Sequence, residues 1–281
     1  QQNGTSIDKI YAGAIKEFIF DGTNWISRGI GTGETDSKYR VIAIGRNSRG
    51  YNNGVAIGYD ARGYNSGVGV GQEAYGQSSG AAVGYHAVAY NHGVAVGADA
   101  VGRERGVAVG RWAYSGAKYY SIALGYYSCC TRTSETAVNI DGNTGYYRQV
   151  TQGRWYGRTT DATTTEIFCG GVSGERFTIR PKSAVAFSSL VVASTQAVAG
   201  TPNVTKAWKV EGLIKRDADG VTSIVGTVSI IVIAEDTDAT GWSIMVDADD
   251  TNEALRIRVT GAADVTIAVS YTHLRAHETR H

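Results

Sequence analysis

The chain has 281 residues, a net charge of +1, 37 glycines and only two prolines. Near-neutral charge without a basic stripe excludes the usual electrostatic footprint of a nucleic-acid binder. The longest apolar runs, such as Val228 to Ala234, are too short to cross a bilayer, so no membrane insertion is expected. The length leaves room for two domains and a lead-in, and a glycine share about double the usual one argues against long helices.

The chain opens on Gln1-Gln2 without Met or a signal peptide, and reads as a fragment. Residues 1–38 read as a hairpin and linker belonging to a preceding module. Glu17–Phe20 and Trp25-Ile26 flank a turn, Asp21-Gly22-Thr23-Asn24. Gly29-Ile30-Gly31-Thr32-Gly33 lacks the G-x-G-x-x-G spacing and is a linker.

Between 39 and 130 a 13-residue unit recurs. Gly45, Gly58, Gly71, Gly84, Gly97 and Gly110 stand 13 apart. Each follows an apolar tripeptide such as Val55-Ala56-Ile57, and a small residue comes three later: Ser48, Ala61, Ala74, Ala87, Ala100, Ala113. A looser copy follows at Ile122–Gly125 and Ser128. A fixed short period means a solenoid. Thirteen residues suffice for two short strands and two tight turns, stacked at about 4.8 Å per coil. Alternation puts Val55 and Ile57 on one face and Ala56 on the other. The β-branched column is expected to fill a thin core. The Ala column, too small to be a core by itself, is expected to face outward, where the backbone of another chain approaches in a trimer. The six repeat glycines mark turns.

Segments such as Gly54-Val55-Ala56-Ile57-Gly58-Tyr59-Asp60-Ala61 resemble the head repeats of trimeric autotransporter adhesins, the YadA type, which also occur in bacteriophage tail fibres. The resemblance covers about 41–128. It implies a left-handed parallel β-roll and a homotrimer. The period is shorter than that family's usual one. The collagen-binding signature of some heads is only half present, at Asn65–Val70, so collagen binding is not carried over.

Residues 131–165 read as a linker or neck ending in the Thr-rich run Thr159–Thr165. From 166 to 268, alternating strands are expected at 166–169, 176–180, 183–193, 207–215, 224–233, 243–248 and 254–260, which suggests an antiparallel β-sandwich. Thr159–Phe168, Val232–Asp236 and Thr251–Gly261 resemble a domain of phage and prophage tail-fibre-like proteins. That resemblance brings no catalytic residue with it. Residues 269–281 are similar to a translated sequencing adapter and are expected to be non-native. Their His273, His277 and His281 would line one face of a helix, a zinc-ligand pattern if taken literally.

Fourteen of the 17 tyrosines lie between 39 and 147. A thin roll has no room for them inside. Tyr51, Tyr64, Tyr75, Tyr90, Trp112 and Tyr114 are therefore candidate surface-binding residues for a host glycan or protein, or rings stacked along the rod. Trp208 with Val210, and Trp242 with Ile244 and Val246, share faces with core candidates. The acids Glu235, Asp236, Asp238, Asp247, Asp249 and Asp250 read as solvated loops, with calcium or glycoside hydrolysis as lesser options. Cys129, Cys130 and Cys169 are expected as free thiols.

These features predict an all-β chain, not an enzyme, without metal or other cofactor. The expected role is structural, in a virion tail fibre that contacts other tail proteins and a host surface. A bacterial adhesin head at the cell surface is the alternative, and a glycan depolymerase a more distant one.

Overall fold

The computed structural model describes residues 15–20, 25–30, 42–116, 119–139, 150–195, 203–271 and 275–280. The chain divides into two units, Gln1–Ala113 and Tyr114–His281. In the first, β1 (Ile15–Phe20) and β2 (Trp25–Ile30) form the expected hairpin, with Phe20 opposite Trp25. Gly29 and Ile30 lie in β2 rather than in a linker; Gly31–Gly33 lie outside the described residues.

The repeats form a parallel solenoid with two sheets. One contains β3 (Ile42–Ile44), β5 (Val55–Ile57), β7 (Val68–Val70), β9 (Ala81–Val83), β11 (Val94–Val96) and β13 (Val107–Val109). The other contains β4 (Arg49–Tyr51), β6 (Arg62–Tyr64), β8 (Tyr75–Gln77), β10 (Val88–Ala89) and β12 (Val101–Gly102). Each residue pairs with its equivalent 13 positions on, as Val55 does with Val68. Backbone bonds run from coil to coil, for example Arg49 N–H to Ala61 O at 2.8 Å.

Two kinds of turn close each coil. At the first, Gly45, Gly58, Gly71, Gly84, Gly97 and Gly110 have φ between +121° and +135°, so the repeat glycine is a conformational requirement. A Cβ on Gly58 would also stand 2.4 Å from Gly71 O in the next coil. The second turn has two central residues of positive φ, such as Asn65 at 49° and Ser66 at 64°, closed by Gly67 N–H to Tyr64 O at 2.9 Å. That is the type I′ geometry, for which Asn is well suited.

The faces of the first sheet are the reverse of those expected. Ala56, Ala82, Ala95 and Ala108 are fully buried, whereas Ile44, Ile57, Val83, Val96 and Val109 are 36–43% exposed. The two sheets lie so close that only Ala and Gly fit between them. A Cβ added to Gly63 would sit 2.2 Å from Val55 O, and one on Gly76 equally near Val68 O. The backbone that approaches the Ala column is thus the second sheet of the same roll. Ala61, Ala74, Ala87, Ala100 and Ala113 complete this interior.

The second unit opens with two further parallel strands, β14 (Ile122–Gly125) and β15 (Thr136–Asn139), with Ala123 opposite Ala137. The first is the looser copy noted in the sequence. The second falls in the expected linker, which also holds β16 (Val150–Gln152) and β17 (Trp155–Thr159). The Thr-rich run is a hairpin turn, closed by Asp161 Oδ1, which accepts from Thr163 N–H at 2.8 Å. The antiparallel region continues through β18 (Thr164–Cys169), β19 (Phe177–Thr178), β20 (Ser183–Thr195), β21 (Thr205–Arg216), β22 (Thr222–Ile224) and β23 (Ser229–Glu235). After a single 3-10 turn at Thr237–Ala239 come β24 (Ser243–Asp249), β25 (Ala254–Thr260), β26 (Ile267–Tyr271) and β27 (Arg275–Arg280).

This sheet curls on itself. One layer runs β17–β26–β20–β21–β23 and the other β18–β25–β24, joined at one side through β17–β18. The core between them holds Trp155, Phe177, Phe187, Trp208, Val210, Trp242, Ile244, Leu255 and Ile257, so both sequence-predicted tryptophan faces are buried. Val269 is buried too, in a strand that runs to Tyr271 across the expected start of the tail at 269. His277 lies in β27, a strand, so the histidines do not share a helical face there; His273 and His281 lie outside the described residues.

Candidate binding surface

Second-sheet residues whose neighbours are the buried Gly and Ala project outward. In this way Tyr51, Tyr64, Gln77, Tyr90 and Arg103 form one column and Arg49, Arg62, Tyr75, Val88 and Val101 a second. The register brings three of the predicted residues together. The Tyr64 and Tyr75 rings lie 5.7 Å apart, and Tyr75 and Tyr90 5.3 Å apart, tilted by 54° and 53°. Both distances fall in the range for favourable aromatic pairs. Arg103 caps the row, its guanidinium 5.5 Å from the Tyr90 ring. Tyr75 Oη donates to Gln77 Oε1 at 2.8 Å. Burial, then the neighbouring Tyr90 and Tyr64, push the Tyr75 phenol above its ordinary range. Tyr51 is the most exposed member of its column.

Trp112 and Tyr114 do not join this row. Trp112 sits at a first turn, with φ of 56°, under the Arg111 guanidinium at 3.8 Å. Tyr114 belongs to the second unit, bridged to Cys129. The six predicted residues therefore form no single site; Tyr64, Tyr75 and Tyr90 form a continuous ring surface.

A polar ladder runs along the first turns. His86 Nε2 lies 2.5 Å from Glu73 Oε2, and His86 Nδ1 lies 3.5 Å from Asp99 Oδ1, one residue from each of three successive coils. Hydrogen bonds from Gln72 and His86 hold the Glu73 carboxyl below its ordinary range. The 13-residue spacing of Glu73, His86 and Asp99 was the sequence signal for this ladder.

The acidic residues are mostly engaged rather than solvated in loops. Asp247 and Asp249 lie within β24. Asp247 Oδ1 takes Arg256 Nε at 2.9 Å, and Arg258 reaches its other oxygen. Partial burial opposes the charge on Asp247, but the two guanidiniums outweigh it and hold the carboxyl below its ordinary range. Arg176 makes a two-bond contact with Glu166 at 2.7 and 2.9 Å and faces Asp249. Asp236 accepts from Thr205 N–H at 2.7 Å, Asp250 from Thr222 N–H at 2.6 Å, and Glu235 pairs with Lys206. Among the described residues, no group of three or more His, Cys, Asp or Glu side chains is placed to hold a metal ion.

Cys129, Cys130 and Cys169 are buried thiols that form no disulfide with one another. Burial raises all three thiols, that of Cys169 to about 12.

A second candidate surface has no counterpart in the sequence reading. On the outer side of β17, β26 and β20, a groove of about 660 Å³ is lined by Tyr156, Arg158, Val192, Ser194 and Ser270. Gly171 lies under the Tyr156 ring, where a Cβ would come within 2.1 Å. The grouping arises from register across three strands, so no local motif announces it.

No protein-family model matches the chain, and no curated protein matches it. Among solved structures it is similar to the tailspike protein of Acinetobacter phage vB_ApiP_P1, at 11% identity and a TM-score of 0.22, over 86% of this chain and 49% of that one. The chain thus spans about half the length of that tailspike.

Proposed function

We propose that this chain is a structural segment of a phage or prophage tail fibre, a homotrimeric rod that contributes to host-surface attachment. The observation that carries the self-association is the apolar ladder on the roll. Ile44, Ile57, Val70, Val83, Val96 and Val109 stand in one outward column, and the roll's interior is already filled by Ala and Gly. A soluble monomer seldom leaves such a contiguous strip in water. The phage setting is supported by the likeness of both regions to tail-fibre repeats and domains.

In this reading attachment is multivalent, and three weak aromatic surfaces on one stiff body bind a repetitive host surface far better than one. The Tyr64–Tyr75–Tyr90 row offers flat apolar rings with polar tips, the chemistry that suits a glycan or a protein loop. No catalytic step is part of the proposal. Light scattering on the purified chain tests the assembly. A mass of three chains is expected, and a folded, monodisperse monomer would overturn it. Tyr64→Ala with Tyr90→Ala is expected to weaken adsorption to host cells while leaving that mass unchanged.

A further inference from the structure

Tyr156 and Arg158 point outward from β17, alternating with the buried Trp155 and Thr159, and Arg154 stands exposed just ahead of the strand. Four residues of extended chain place the two arginines roughly 13 Å apart, with the tyrosine between them. Both charges are uncommitted. Arg132, Arg176, Arg216, Arg256 and Arg258 of the same unit each hold a carboxylate. Among the described residues, neither the Arg154 nor the Arg158 side chain has an ion pair or hydrogen bond. Glu166, on the neighbouring β18, is already taken by Arg176.

Each arginine borders a hollow. Arg154 edges one of about 350 Å³, where the register aligns Ile122, Thr136 and Gln152 across β14, β15 and β16, and Tyr120 and Ser134 complete the wall. Arg158 lines the groove of about 660 Å³ with Tyr156, Val192 and Ser194. There Ala268 stands between Arg158 and Ser194 in the register, so a methyl floors the space between a guanidinium and a hydroxyl. The Tyr156 ring is 53% exposed and lies against Gly171, which lacks the Cβ that would displace it. Both hollows are of a size that holds small ligands.

The lining chemistry selects the occupant. The hydroxyls of Ser134, Thr136 and Ser194 and the Gln152 amide both donate and accept, as sugar hydroxyls do. A flat ring braced on one side takes the apolar face of a sugar. A guanidinium takes an acid group through two parallel bonds. An extended peptide gains its affinity by adding to a sheet edge, and β17 offers none, because β18 and β26 pair with it on either side. A nucleic acid draws its affinity from many phosphate contacts, and two arginines supply few.

We propose that the outer face of β17 binds an acidic polysaccharide. A charged sugar sits at each hollow with its acid group on Arg154 or Arg158, and a ring between them stacks on Tyr156. The ligand is an oligomer, because the two arginines stand farther apart than one sugar ring spans. This site is separate from the tyrosine row of the roll and needs no second copy of the chain.

The test is binding of the full chain to immobilised neutral, uronic-acid-containing and phosphorylated bacterial polysaccharides, with polyglutamate and single-stranded DNA alongside. Retention on acidic and not on neutral polysaccharides is expected, and the two acidic arms tell carboxylate from phosphate. Arg154→Gln, Arg158→Gln and Tyr156→Ala are each expected to weaken that binding about tenfold. All three positions are exposed, so circular dichroism is expected to stay unchanged. Tyr64→Ala with Tyr90→Ala is expected to leave it intact. The proposal is overturned if no acidic polysaccharide is retained, if neutral ones bind equally, if the two Arg→Gln changes together leave binding at the parent level, or if polyglutamate or DNA binds as tightly. The mass of the assembly is a separate readout, so either reading can fail without the other.

Discussion

Replacing Gly76 by Ala tests the inverted interior of the roll by the sign of its effect. Where the backbone allows it, Gly→Ala normally stabilises a protein by about 0.4–1 kcal/mol by restricting the unfolded chain. Gly76 does not have the positive φ that would strain an Ala. The decision therefore lies with space. The added Cβ would meet the O, C and N of Val68 at 2.2, 2.5 and 2.6 Å. These are backbone atoms of the opposite sheet, tied to the coils on either side, and no side chain can turn away. Relief requires the two sheets to part by about an ångström, which strains the closing turns. Overpacking of this kind costs about 1–3 kcal/mol, which exceeds the entropic gain. Gln77→Ala, one residue along and facing outward, loses only the bond from Tyr75, about 1 kcal/mol. Thermal melting by circular dichroism is the assay, and hydrogen exchange across residues 62–84 localises the effect. For a unit of this size a loss of 1–3 kcal/mol lowers Tm on the order of 5–20 °C. A Gly76→Ala variant as stable as the parent, or more so, would refute the close approach of the sheets and restore the β-branched column as the core.

Three further outcomes are expected. The buried Lys206 ammonium donates to the carbonyls of Ala239, Thr240 and Trp242, at 3.3, 3.3 and 3.0 Å, and faces Glu235. Lys206→Met leaves these acceptors unpaired and is expected to cost about 3–5 kcal/mol in urea unfolding followed by tryptophan fluorescence; a loss under 1 kcal/mol would contradict the clamp. The carboxyls of Asp247 and Asp249 lie below their ordinary value of 3.8 in the folded chain. Their contribution to stability is therefore fully present above that value and is lost as pH falls through the lower folded values. Asp247→Asn is expected to flatten the acid limb of a stability–pH curve below about pH 4, and an unchanged limb would count against the Arg256 and Arg258 pairing. Finally, the raised thiols of Cys129, Cys130 and Cys169 are expected to resist a thiol-specific reagent at pH 8 and to react in full once the chain is unfolded in urea; rapid labelling of the folded chain would show that burial does not protect them.

Much of the architecture was legible because the signals are local. The 13-residue glycine period, the small residue after each turn and the alternation in the antiparallel region are short-range patterns, and each became a turn or a strand. Trp208 and Trp242 were placed in the core by the same alternation. The binding candidates were read less well. Residue type named Tyr64, Tyr75 and Tyr90, but only the parallel register stacks them and sets Trp112 and Tyr114 apart. β15, β16 and β17 were missed because their apolar content is low, and because β27 and β26, which pair with β16 and β17, are distant in sequence. The acids of β24 looked like a loop because their guanidinium partners lie elsewhere in the fold, Arg256 and Arg258 on β25 and Arg176 just before β19.

The sequence by itself determined that Ala56 and its equivalents face one way and Val55 and Ile57 the other, since a strand alternates whatever surrounds it. It did not determine which face is inside. That depends on the distance between the two sheets, which four-residue turns hold near backbone contact, leaving room for a methyl or a hydrogen and nothing larger. The same holds for Ser229–Glu235: composition marks it as a strand made for burial on both faces, while in the tertiary structure its only pairing among the described residues is with β21 and all seven residues are exposed.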